Sequence, residues 1–415
     1  MLTKSNPVLR RRQVIAVLIF LALFPGFFFY HTLLGKGYIP PVLGGFFGPV
    51  VIITFPIVFY IYSNDIGKYK EEWTGISAIF ILLMAFSIIV SIINFADGRA
   101  ALGNREMLTW SLSGVIFNLA TYMLARIIPV ESKKFTNFIY ISLVAMLFIA
   151  LLNMGDAGIF YIKQESADKE IVATYQGFAR SIAVVAVIAI SLATSFISFG
   201  LVVLSGAVAL FVNGARTEFA CFLVSVSFLS CARFGFLKSF SMGAGFIGVM
   251  IIAIYGLSPE NYDKFIGNNR SLQLFELADS TSVEARGYLS NFAIRTISES
   301  PMLGDYASYL KIGGVGSYSH NILSAWVNLG ILGFSVYCML LGTMVVSVIK
   351  NWRYIRLGKV RWNLLVAFSS FAIVAMVFGK DYSYMVFGLA VGFYARTASC
   401  RNIDEAKFSP AVSPW

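Results

Sequence analysis

From Ser181 to Asn213 the chain carries no charged residue. A run of that length exceeds one membrane crossing, at roughly twenty residues per span. Backbone groups in hydrocarbon must pair within their own segment, so such runs are read as helices. The stretch Ser195-Phe196-Ile197-Ser198-Phe199-Gly200 divides this one into two short helices. Comparable apolar runs lie near 14–34, 44–63, 73–95, 107–129, 135–153, 217–235, 239–256, 321–348, 362–378 and 381–397, which with 180–196 and 198–213 makes twelve. The chain is 58% hydrophobic and 13% charged, against about 25% charged in soluble domains. The expected fold is therefore an all-α polytopic membrane protein: one integral membrane domain over residues 1–415, about twelve transmembrane helices, and one large loop at 257–319.

Charge placement orients these helices. The net charge of +11 is scattered at span ends, with no basic stretch interleaved with aromatics, so nucleic-acid binding is set aside in favour of the positive-inside bias. Lys4, Arg10, Arg11 and Arg12 precede the run Val14–Leu34, which is long enough to span and is followed by no Ala-x-Ala cleavage signal. It is expected to remain as an anchor with its amino end in the cytoplasm. Two crossings between Ser181 and Asn213 place the cluster Lys350, Arg353, Arg356, Lys359 and Arg361 on the same inner side, and a single crossing would place it outside. The same parity puts both termini inside and puts Arg216, the loop and His320 on the external face. The loop's five Lys/Arg and seven Asp/Glu then need an explanation other than topology. Cys221, Cys231, Cys338 and Cys400 fall in spans or the tail, so no disulfide framework is expected.

Within the loop, Thr281-Ser282-Val283-Glu284 has the form of a capping box, and an amphipathic helix follows over about 282–299. Ala285, Leu289, Phe292, Ala293, Thr296 and Ile297 recur on one face, suited to the membrane surface or the roof of the bundle. Ser300-Pro301 and Gly304 end it. Arg286 and Arg295 are nine positions apart, which at about 100° per residue sets them on opposite faces. Arg286 is assigned to a common site, and Arg295 to solvent, a loop carboxylate or lipid headgroups. The chain has two histidines. His31 lies in an aromatic stretch and reads as interfacial. His320, in Tyr318-Ser319-His320-Asn321, stands where the loop meets the tenth span. There Gly330 and Gly333 would share a helix face and admit a neighbouring backbone.

Several of these segments resemble the bacterial O-antigen ligase and Wzy polymerase superfamily, polytopic glycosyltransferases of GT-C-like architecture. The matching elements are Gly214-Ala215-Arg216-Thr217 before a span, Ala285-Arg286-Gly287-Tyr288 followed by Pro301-Met302-Leu303-Gly304, and Ser319-His320-Asn321 followed by Gly330-x-x-Gly333. They cover Gly214 to Gly333, and the remainder matches only in hydropathy and span number. The eight residues between Asn321 and Gly330 are one fewer than is common in that family. The resemblance implies a glycan donor on undecaprenyl diphosphate, transferred to an acceptor glycan at the periplasmic face of the bacterial inner membrane without a metal or nucleotide sugar. It implies a polymerase of O-antigen or related repeat units, the stretch Ile322-Leu323-Ser324-Ala325-Trp326 being the more polymerase-like, with a ligase acting on lipid A core as the alternative, since the two share donor chemistry and differ only in the acceptor. The partners it implies are membrane lipids, a chain-length regulator and a flippase.

The residues suit that chemistry on their own terms. A departing diphosphate gathers negative charge, and guanidinium groups are fixed, permanently charged donors for phosphate oxygens; Arg216 and Arg286 are assigned to it. A neutral imidazole, with an ordinary pKa near ~6.5, suits removal of a sugar hydroxyl proton; His320 is the expected base. Asn321 orients the histidine, bonds a sugar hydroxyl or caps the tenth helix. Glu218, two residues after Arg216, is read as a contact to the acceptor or to another helix. Together with Tyr288 and Arg295 these two complete the expected substrate-contacting set. An arginine near a span end is ordinarily an anchor or topology signal, and the external position of Arg216 and Arg286 weakens that explanation. No Cys/His metal spacing is present. Lys311-Ile312-Gly313-Gly314-Val315-Gly316-Ser317 lacks a Walker arrangement and reads as a flexible link, and Glu284, Glu299 and Asp305 show no glycosidase pairing. A twelve-span transporter is the competing class; no repeated half and no charged residue in paired broken helices favours it.

Overall fold

The computed structural model describes residues 7–41, 46–66, 75–96, 104–155, 160, 175–255, 281–312, 318–356 and 358–399. The loop segment 257–280, the glycine-rich 313–317 and the side chains of Thr281 and Glu284 lie outside the described residues. The helices are α1 (Pro7–Leu21), α2 (Phe27–Gly35), α3 (Phe47–Ile66), α4 (Gly75–Ala96), α5 (Asn104–Ile127), α6 (Lys133–Leu152), α7 (Tyr175–Leu192) and α8 (Phe196–Asn213). They continue with α9 (Arg216–Phe234), α10 (Phe236–Tyr255), α11 (Thr281–Glu299), α12 (Leu323–Lys350), α13 (Trp352–Ile355), α14 (Val360–Phe378) and α15 (Val386–Ser399). A π-turn around Pro25 joins α1 to α2. The protein is a multi-pass, all-helical membrane protein: among the described residues ten helices are long and apolar enough to cross a bilayer. Of the other two expected spans, α10 is helical throughout and α15 is a shorter apolar helix.

The uncharged run breaks where its sequence suggests. Ser195 caps α8, its hydroxyl accepting from the Ser198 backbone N–H at 3.1 Å while the Ser198 hydroxyl accepts from the Ser195 N–H at 3.1 Å. The helix before the break, α7, is buried continuously from Ser181 to Leu192. A helix apolar on every face belongs inside a bundle, and α7 forms its axis. Small residues bring backbones together elsewhere: a side chain at Gly392 of α15 would stand 2.5 Å from the Tyr122 carbonyl of α5, a close approach of the kind membrane bundles use.

A network of contacts defines the two ends of the bundle. At one end Arg12 lies over Tyr60, Arg126 over Tyr62, and Arg396 donates to the Ile128 carbonyl. Arg233 donates to the Ala193 carbonyl at 2.8 Å, and Thr397 to that of Arg361 at 3.1 Å. Lys350 and the helix α13 that follows it belong to this end too. The starts of α7, α9 and α12 and the end of α14 gather at the opposite end. The basic cluster and His320 therefore stand at opposite ends.

Two sequence expectations are corrected. Gly330 is not on a continuous helix face: at φ 64°, ψ −173° it breaks α12. The turn 301–305 fills the break. The Asp305 N–H donates to the Val327 carbonyl at 2.8 Å, the Ile331 N–H to that of Pro301 at 3.0 Å, and the Trp326 indole to Pro301 at 3.0 Å. The Asn328 side chain accepts from the Ala307 N–H at 2.9 Å. Gly304 meets this break at positive φ (70°), where a side chain would stand 2.6 Å from the Val327 carbonyl and 2.7 Å from the Gly330 nitrogen. His31, in turn, is not at an exposed interface but only 1% exposed, among Phe27, Tyr30, Phe46 and Phe178. The aromatic setting is as read, but these rings turn inward.

Gly330→Ala should combine positive-φ strain with a collision against the Met302 backbone, costing on the order of 3 kcal/mol or more. The expected outcome is a clearly lowered melting temperature in detergent, and Gly342→Ala, on the same helix with nothing within 4 Å of the added methyl, should cost far less.

Candidate functional site

Where α14 ends, the chain does not turn outside the bundle. Residues 379–385 form a loop set against the middle of α5. Asn118 donates to the Ser383 carbonyl at 2.7 Å and accepts from the Gly388 N–H at 3.0 Å, and Thr121 donates to the Met385 carbonyl at 2.9 Å. The Ser324 hydroxyl, at the start of α12, accepts from the Tyr382 N–H at 3.2 Å. These bonds supply the backbone partners that a non-helical segment within a bundle requires, and they fix Lys380 and Asp381 inside. The sequence expectation of a helix from 381 is corrected accordingly: α15 begins at Val386.

Lys380 and Glu218 form a buried ion pair, Nζ to Oε1 2.6 Å, with side chains 8% and 2% exposed. The Tyr384 hydroxyl donates to the same carboxylate oxygen at 3.4 Å, and the Lys380 ammonium lies 5.3 Å from the Tyr384 ring centre. Glu218 is thus the contact between helices that one of its sequence readings anticipated. Its partner comes from the end of α14, which meets α9 where Thr217 packs on Gly379. Arg216, half-buried, opens α9 two residues before Glu218.

His320 is partly exposed just ahead of α12, its ring 4.4 Å from that of Tyr318. Its pKa is held down to about 4 by burial first, then by the charges of Arg286 and Lys380, with a hydrogen bond to the Gly379 backbone working the other way. At neutral pH the ring is uncharged.

Asn321 serves the helix start. Its carbonyl oxygen accepts from the Leu323 N–H at 2.9 Å and the Ser319 hydroxyl at 2.6 Å, while its amide donates to Ser290 of α11 at 3.2 Å. That bond docks α11 against the histidine segment. Ser290 is one turn beyond Arg286, so Arg286 shares its face, and although Arg286 is exposed its charge reaches both His320 and Tyr318. Arg295 lies on another face and pairs with Glu299 at 2.9 Å, both well exposed. Tyr288 is exposed as well, two residues from Arg286 and so off its face. Arg286 and Lys380 act on His320, Asn321 joins its segment to α11, and Glu218 reaches it through Lys380; Arg216 shares the first turn of α9 with Glu218, and Arg295 and Tyr288 lie apart.

Lys380, Asp381, Tyr384 and Arg180 were absent from the sequence-derived set. Asp381 accepts from the Ser383 hydroxyl at 2.5 Å, and burial raises its pKa from the ordinary carboxylate value. A signal for Lys380 was present. A lone carboxylate inside an apolar span calls for a cation, and the span parity places Lys380 on the same side as Glu218.

Among the described residues no cluster of His, Cys, Asp and Glu could hold a metal ion. No protein-family model matches the sequence, and no curated protein matches it.

Lys380→Met should strand the Glu218 charge and cost about 3–5 kcal/mol. The double variant Glu218→Gln/Lys380→Met should recover much of that loss in melting temperature; additive losses would mean the pair is not coupled. With two histidines in the chain, an NMR titration can separate them. His320 should titrate near pH 4, and Arg286→Gln should move it upward by removing a charge that opposes protonation; an unshifted His320 would mean that Arg286 stands too far off to matter.

Proposed function

We propose that the protein is a metal-independent glycosyltransferase that polymerises oligosaccharide repeat units carried on undecaprenyl diphosphate, at the periplasmic face of the inner membrane. The observation that carries this reading is His320, partly exposed just ahead of α12 and kept neutral by burial and by the cationic groups Arg286 and Lys380. A neutral base next to fixed cations is what transfer from a diphosphate donor needs: one group to take a proton, others to receive a departing anion.

In this reading an acceptor sugar hydroxyl attacks the anomeric carbon of the donor. Its proton passes to His320. The bond between the anomeric carbon and the diphosphate oxygen breaks, and the electron pair leaves with undecaprenyl diphosphate, whose charge Arg216 and Arg286 stabilise. The proton on His320 is returned to solvent or to the departing phosphate. The basic residues at the opposite end of the bundle are consistent with a site on the external side. The broken helix α12 gives no support to a transporter, because the break is filled by the backbone of 301–305 rather than lining a passage. The flippase that delivers the donor and a chain-length regulator are the proposed protein partners.

Purified protein in nanodiscs, given undecaprenyl diphosphate-linked repeat units with and without lipid A core and with chelator present, should build longer glycans on the carrier. Glycan appearing on lipid A core instead would identify a ligase, and no transfer to either acceptor would overturn the reading. His320→Ala should abolish transfer with insertion and melting temperature preserved. Arg286→Lys keeps charge but loses the two-pronged geometry, and should lower kcat/KM at least tenfold; Arg295→Lys should change it less than about threefold.

A further inference from the structure

Arg180, on the first turn and a half of α7, is partly buried. Its guanidinium lies 5.1 Å from the Phe27 ring centre and 4.7 Å from that of Phe47. Cation–π contacts of this kind engage the flat face of the group, which leaves its in-plane N–H donors directed away from the rings. The Nε N–H is buried and meets no hydrogen-bond partner. Tyr384 and Glu218 are the two groups whose charge acts on Arg180. Glu218, however, gives its close contact to Lys380.

The result is a line of charges running inward from the site: Arg286, His320, Lys380 with Glu218 and Tyr384, then Arg180. Partial exposure recurs along it at Tyr318, His320, Asp381, Tyr384, Arg216 and Arg180. Of its two carboxylates, Glu218 is in ion-pair contact with Lys380 and Asp381 is bonded to Ser383, so neither is in ion-pair contact with Arg180. A buried guanidinium N–H without a partner is costly unless an acceptor meets it. Planar N–H donors match phosphate oxygens.

We propose that Arg180 belongs to an anion-binding site that takes a phosphate group of a diphosphate, with Glu218 as the resident negative charge against which this ligand competes. Identifying the ligand as the diphosphate of a lipid-linked donor rests on the function proposed above; the anion site itself does not. Arg180 then holds the phosphate farther from the sugar, while Arg286, next to His320, serves the one that bears it.

The charges give the test opposite signs. Inorganic diphosphate and undecaprenyl diphosphate would each be titrated into the purified full-length protein, following binding by calorimetry and the rise in melting temperature. Arg180→Gln should weaken binding of both at least tenfold, and Arg180→Lys should restore part of it. Glu218→Gln should tighten binding severalfold, because the competing charge is gone and Lys380 gains a new partner; the ligand should also raise its melting temperature more than that of the unaltered protein. Should Arg180→Gln fold poorly, the Glu218→Gln and Arg180→Lys arms still decide the matter. Equal affinities for Arg180→Gln and the unaltered protein, weaker binding by Glu218→Gln, or no saturable binding by the unaltered protein would each overturn the proposal. Binding of undecaprenyl diphosphate alone would place the site on the lipid carrier, and binding of both on the diphosphate itself. Transfer assays remain separate: binding that follows these signs without glycosyl transfer removes the proposed enzyme but keeps the anion site, and transfer unaffected by Arg180→Gln does the reverse.

Discussion

A backbone that leaves the helical path inside an apolar bundle must find its hydrogen-bond partners in the protein, and both departures near His320 do so with neighbours far away in sequence. The break at Gly330 is filled by the turn 301–305, which ties the end of α11 to the middle of α12. The loop 379–385 is held by Asn118 and Thr121 of α5 and by Ser324 of α12. His320 lies between these two repairs. Its position is therefore set less by its own side-chain contacts than by the need to satisfy peptide groups where water is absent.

The same loop brings charge inward. Lys380 and Asp381 follow directly after the last turn of α14, so seating the loop inside the bundle carries both into a low-dielectric region. Lys380 finds Glu218 on α9, and Asp381 finds the hydroxyl and N–H of Ser383. A buried pair of this kind adds little net stability compared with apolar packing, but the loss of one partner is severe. It acts as a constraint on register: α9, α14 and the loop must meet so that Lys380 and Glu218 find each other. Arg180 stands outside that balance, held by ring faces instead of a carboxylate.

Much of the architecture was legible in the sequence because hydropathy and charge act locally. The uncharged run announced two helices, and Ser195 with Ser198 supplied the cap that separates them. The phase difference between Arg286 and Arg295 separated an arginine whose charge reaches His320 from one that pairs with Glu299 in solvent. What stayed hidden depended on contacts between distant segments. Gly330 in an apolar helical pattern looks like a small residue that admits a neighbour; only the arrival of Met302 and Gly304 makes it a break. Likewise Gly379-Lys380-Asp381 looks like an ordinary connection between two spans, and its inward position follows from Asn118 and Thr121, some 260 residues earlier in the chain.

The charges around His320 also bear on when it is basic. Burial, Arg286 and Lys380 all oppose protonation of the ring, and they set its pKa at about 4. A base that weak holds little attraction for a hydroxyl proton at neutral pH. An anion placed among the same cations reverses the balance, because it screens Arg286 and Lys380 and itself favours the imidazolium. In the proposed reaction the donor diphosphate would thus strengthen the base at the moment it occupies the site, while in its absence the neutral ring avoids adding one more positive charge to a crowded, enclosed set. The cations that receive the leaving group and the histidine that takes the proton are, on this view, coupled through the ligand and not through direct contact.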